Sequence, residues 1–142
     1  MLHKKIKYTD YDGNQVEETF LFNLTKAELM RMELSTSGGI QNMVQTLIAK
    51  RDGAKIMEVF EDLILKSYGE KSPDGKRFIK SPELSEEFKQ TEAYSELFCE
   101  LCTNAEAAAE FFNSIVPPDI AAEAEKNKNA DLLPDIKINP AS

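Results

Sequence analysis

The sequence predicts a mainly α protein of the α+β class: an N-terminal β-hairpin, a bundle of about five amphipathic helices, and a mobile polar C-terminal tail. Three observations carry this. Apolar residues alternate with polar ones through the first 22 residues, which is the period of a strand. From residue 25 onward they recur at i, i+3, i+4, i+7 and i+8, the period of a helix with one buried stripe. After Pro117-Pro118 the sequence turns polar and no stripe continues. The expected division is one domain over residues 1–116, with the hairpin in 1–22 and the helices in 25–116, followed by a flexible tail over 117–142.

Each element has its own signal. "HKKIKYT" sets Ile6 and Tyr8 on one face, and "QVEETFLF" does the same for Val16, Phe20 and Phe22. Asp12-Gly13 between them predicts a two-residue hairpin turn, whose central positions both need φ > 0. Two strands alone are marginal in water, so the hairpin must pack on something. Thr25-x-x-Glu28 is a capping box that opens a helix through about Leu34, and "STSGG" ends it. Four stripes follow: Ile40, Met43, Val44, Leu47 and Ile48; Ile56, Val59, Phe60, Leu63 and Ile64; Tyr94, Leu97, Phe98, Leu101 and Cys102; Ala108, Phe111, Phe112, Ile115 and Val116. Ser81-Pro82 supplies an N-cap and a proline at the first helical position, starting a short helix with Leu84 and Phe88. Asp52-Gly53 and Gly69 punctuate the chain, and Thr103-x-x-Glu106 predicts a second capping box for the last helix. Val44, Leu47, Phe60, Leu63, Leu97, Phe98 and Phe112 are the expected core.

Charge and composition narrow the function. With 17 basic and 25 acidic side chains in 142 residues the net charge is −8. Such a chain lacks the basic footprint that nucleic acid or an anionic membrane would require, so protein partners are expected. No apolar run approaches the ~20 residues of a membrane span. "MLHKKIKYTDYDG" carries basic residues with no apolar stretch behind them, so no signal peptide is expected and the cytoplasm is the expected compartment. His3 is the single histidine, which leaves little for a general base or a metal site.

The motifs that spell chemistry fail on inspection. Cys99-x-x-Cys102 sits late in a predicted helix with no βαβ pattern, and no further soft ligands complete a zinc site, so buried, inert thiols are expected. Asp10-x-Asp12-x-Asn14 begins like a calcium loop but continues with Gln15 and Leu21 where glycine and glutamate are required. Asn23-Leu24-Thr25 is a glycosylation sequon in spelling, with nothing to send it to a secretory compartment. The carboxylate pairs Glu17-Glu18, Glu61-Asp62 and Glu86-Glu87 fall on polar faces with no companion nucleophile. No catalytic residue, cofactor or metal is assigned, and the expectation is a protein that is not an enzyme.

"SYGEKSPDGKRFIKS", residues 67–81, has the composition of a phosphate loop but not its order. Five residues separate Gly69 from Gly75, Pro73 removes a backbone donor, and Arg77 follows Lys76 where a hydroxyl is needed. The segment reads instead as a connector between helices with a turn at Pro73-Asp74-Gly75. Lys71, Lys76, Arg77 and Lys80 concentrate positive charge in an acidic chain. Lys71, Lys76 and Arg77, with Phe78 and Ile79 as anchors, are the candidate partner-binding residues: a docking edge for an acidic partner, or for a neighbouring subunit in self-association. A solubilising connector is the plainer reading of the same residues.

The strings "YTDYDGNQVEETFLFNLTKAELMRMELSTSGG", "LKSYGEKSPDGKRFIKS" and "LSEEFKQTEAYSELF", in that order and spacing, resemble a tail assembly chaperone of long-tailed bacteriophages and their prophages. The resemblance spans roughly residues 5–116. It implies the role of the short member of a lambda-type pair. Such a protein would hold the tape measure protein soluble, bring tail tube subunits to it, and be absent from the finished virion. It implies no catalytic residues. It also implies a longer product made by a −1 ribosomal slip, and Glu125-Lys126-Asn127 permits the slippery heptamer when encoded GAA AAA AAC or GAA AAA AAT. A small acidic adaptor that binds one protein partner is the alternative, and it would bind once where a chaperone coats its client in many copies.

Overall fold

The computed structural model describes residues 1–117; from residue 118 on, the expected tail lies outside the described residues, as does Glu125-Lys126-Asn127. Alternation in the first 22 residues produces two eight-residue strands, β1 (Leu2–Thr9) and β2 (Gln15–Phe22), paired antiparallel from Leu2 opposite Phe22 to Thr9 opposite Gln15. The turn differs from the expected one. Gly13 alone has positive φ, at 86°, while Asp12 does not. The N–H of Gly13 donates to the Asp10 carbonyl and that of Asp10 to the Asn14 carbonyl, which is a three-residue loop with a glycine bulge. The Asp10 carboxylate accepts the N–H groups of Asp12 and Asn14, so the acidic residues of this loop hold its backbone.

Six helices follow among the described residues: α1 (Lys26–Ser35), α2 (Ile40–Lys50), α3 (Gly53–Ser67), α4 (Pro82–Lys89), α5 (Glu92–Thr103) and α6 (Ala105–Ile115). Their starts follow from side-chain caps. The Thr25–Glu28 capping box is complete in both directions. Asp52, Ser81 and Thr91 each accept an N–H three residues on. The second capping box does not form. Thr103 ends α5 and donates its hydroxyl to the Cys99 carbonyl, and Asn104 caps α6 through Ala107 N–H. An amide oxygen at the N-cap outcompetes the neighbouring hydroxyl already spent on the preceding turn.

Two short strands went unread in the sequence. β3 (Tyr68–Lys71) and β4 (Phe78–Ile79) form a second hairpin, and β3 pairs with the end of β2 through Leu21–Gly69 and Phe22–Tyr68. Among the described residues, the connector between α3 and α4 is thus part of a four-stranded antiparallel sheet of order β1-β2-β3-β4. Aromatic rings join sheet to helices: Phe88 of α4 stacks on Tyr68 at 4.4 Å between centroids, and Phe22 meets both Phe88 and Phe111 edge-on. Each such pair contributes roughly 0.5–1.5 kcal/mol beyond its buried area. Val44, Phe60, Leu63, Leu97 and Phe112 are buried as expected. Leu47 and Phe98 are only half-buried, packed against the core from its edge. Asn23 N–H donates to the Ser67 carbonyl and Leu24 N–H to the Ile115 carbonyl, so one short stretch after β2 ties together the ends of α3 and α6.

Candidate docking site

The charged segment is a structured hairpin tip. Ser72 N–H donates to the Arg77 carbonyl, and the Ser72 hydroxyl donates to Asp74 while accepting the Arg77 N–H. Asp74 also accepts the Lys76 N–H at 3.0 Å. These hydrogen bonds, that from Ser72 first, hold the Asp74 carboxyl below the usual carboxylate range. Backbone, Ser72 and Asp74 therefore fix the tip, and Lys71, Lys76 and Arg77 are left exposed with no ion pair among the described residues.

Lys80 behaves differently from the other three cations. Its ammonium turns inward, donating to Glu28 and to the Asn23 carbonyl, each at 2.7 Å. It locks the end of β4 to the first turn of α1. Phe78 and Ile79 are half-buried, and their backbones pair with Lys71 and Glu70 of β3. Gly69 makes this possible: a Cβ there would lie 2.8 Å from the Phe78 ring and 2.6 Å from the Ile79 carbonyl oxygen.

An apolar surface that the sequence reading did not single out lies on α1. Met30 and Leu34, one turn apart, are 63% and 82% exposed. At 3.6 residues per turn they stand on the side of α1 opposite Met32. Met32 faces a groove of about 540 Å³ between α1, α2 and α3, together with Ile40, Met43, Val59 and Leu65, and with Glu58, Glu61 and Asp62 along it. Helix α1 thus presents apolar side chains in two directions. Its seating on α2 comes from Glu33, whose carboxylate accepts the Gln41 N–H at 2.8 Å and serves as the cap that Gly39 lacks. The available signal was the missing partner for Met30 and Leu34: both are apolar, yet they fall outside the stripe that contains Leu29.

The thiols are placed otherwise than expected. Cys99 is exposed on α5, because it lies two positions from both Leu97 and Leu101, and at 3.6 residues per turn that spacing puts it on the side of the helix opposite those buried residues. Cys102 is half-buried, and burial, then the neighbouring Cys99, pushes its thiol above the ordinary value. Among the described residues no group of three or more His, Cys, Asp or Glu is arranged to hold a metal ion, and no helix is long and apolar enough to cross a membrane.

A family model described as phage tail assembly chaperone matches residues 1–140. No curated protein and no solved structure matches the chain.

Proposed function

The chain belongs to the phage tail assembly chaperone family, and from that premise we propose that its client is the tape measure protein. It holds this long client soluble and brings tail tube subunits to it, acting by binding and not by catalysis, in the host cytoplasm and outside the finished virion. The observation that supports a holding role is the exposed Met30–Leu34 pair on a helix whose other side faces a methionine-lined groove. Methionine is unbranched and adaptable, so such a surface accepts many apolar sequences in turn, as a long client demands. An amphipathic client helix would lay its stripe there. The net charge of −8 keeps the assembly soluble, and many copies on one client turn weak contacts into avidity. The exposed cations Lys71, Lys76 and Arg77 provide a second docking edge, suited to an acidic partner such as a tube subunit or another copy.

The test is co-expression with the tape measure protein. The parent chain should render the client soluble in a complex holding several copies, and the double variant Met30→Glu/Leu34→Glu should fold normally yet leave the client insoluble. A client equally soluble with the double variant would remove α1 from the proposal. One copy per client would favour the adaptor reading.

A further inference from the structure

We infer that the free edge of β1 is a strand-addition site for an extended segment of a partner protein, acidic at alternate positions. The sheet begins with β1, so among the described residues one side of an eight-residue strand has no neighbour in the sheet. The hydrogen-bond pattern says which groups are open. Asp10 N–H bonds to the Asn14 carbonyl, and that pair continues the register of the hairpin, so the even-numbered residues bond to β2. In an antiparallel ladder the alternate residues turn their N–H and C=O groups the other way, which places those of His3, Lys5, Lys7 and Thr9 on the open edge. The same four residues have exposed side chains, on the sheet face turned away from Ile6 and the helices.

The occupant follows from charge. A second copy of β1 is a poor fit. Antiparallel pairing keeps odd residues opposite odd ones, so every central register sets Lys5 or Lys7 against Lys5, Lys7 or His3 of the other copy. Like charges directly opposite destabilise a sheet, and lysines on an edge strand work against self-pairing. An acidic residue at each of these positions reverses the sign. The other face sets a second condition. A groove of about 370 Å³ runs between β1 and α5, lined by Glu96, Leu97 and Glu100 on the helix side. Lys4 is already engaged with Glu100 at 3.3 Å. Side chains of the added strand that point into this groove must therefore be apolar and not acidic. The partner segment alternates acidic with apolar over about seven residues, a pattern independent of what α1 binds.

A capped peptide of sequence Glu-Val-Glu-Val-Glu-Val-Glu is the probe. At saturation it should slow amide hydrogen exchange at Lys5 and Lys7 but not at Lys4 and Ile6, whose N–H groups already belong to the β1–β2 ladder. Lys5→Glu/Lys7→Glu should weaken binding at least tenfold with an unchanged circular dichroism spectrum. Lys5→Pro, which removes one outward N–H and no ladder bond, should weaken it as well. Methylation of the glutamate amide nitrogens of the probe should abolish binding. Any of three results would overturn the inference: a methylated probe that binds as tightly, a lysine-for-glutamate probe that binds as well, or no slowing at Lys5 and Lys7 at saturating probe. A dimer of the free protein in which these amides are already protected would assign the edge to a second copy and overturn it too.

Discussion

Gly69 sits where β4 folds back across β3, and its missing side chain is what lets the two backbones approach. A methyl group there would meet the Ile79 carbonyl oxygen and the Phe78 ring inside contact distance, and backbone cannot move aside as a flexible side chain would. Gly69→Ala should cost about 1–3 kcal/mol, the range for forced overpacking, read as a lower urea midpoint. At Glu28 the balance is electrostatic. Partial burial pushes its carboxyl up, but the Lys80 hydrogen bond, the Thr25 N–H and the Lys80 charge together bring it below the ordinary value of 4.5. A carboxyl depressed in the folded state stabilises the fold fully above its unfolded value and loses that contribution as pH falls through the folded one. The stability difference between the parent and Glu28→Gln should hold steady from neutral pH down to the ordinary carboxylate range. It should then shrink in more acidic solution, as measured by urea unfolding at a series of pH values. The cysteines provide a third check: a thiol alkylating reagent at neutral pH should modify exposed Cys99 well before Cys102, whose thiolate is both less accessible and less populated.

At the scale of elements, the charged hairpin separates two jobs that the sequence had merged. Ser72 and Asp74 hold the tip, and Lys71, Lys76 and Arg77 only decorate it. Reversing the three cations to glutamate should leave helicity unchanged and weaken partner association most at low salt, whereas Ser72→Ala/Asp74→Ala should loosen the hairpin with the charges intact. Unchanged association at low salt after charge reversal would reduce the cations to solubilising groups. The helices were legible because each has ten or so residues in which to repeat a stripe, and because Thr25, Asp52 and Ser81 announce their starts. β3 and β4 were not, since four and two residues are too few to show alternation. They exist through pairing with β2, some 45 residues earlier in sequence, and local pattern does not carry that information. The candidate site was half legible for the same reason. Positive charge could be counted along the chain, but the inward turn of Lys80 depends on Glu28, and the exposure of Met30 depends on which face of α1 meets α2.

At the scale of the molecule, the described core ends with Ile115 and Val116. A chain cut after Pro117 should therefore keep the urea midpoint of the full chain, and a large drop would show that later residues contribute to the fold. The slippage expectation has a direct test in the gene: a GAG codon for Glu125, an AAG codon for Lys126, or no overlapping −1 frame downstream would exclude a slip at that position. The bond between Leu24 and the Ile115 carbonyl has a consequence in time. A chain is made from its N-terminus, and contacts between distant parts of it cannot form before the second part exists. The hairpin and α1 are synthesised early, but the residue that seats their junction arrives only at position 115 of 142. Through most of its own synthesis the nascent protein therefore exposes Phe22 and Leu24, two of its most deeply buried side chains, and for that interval its own apolar core is open to aggregation.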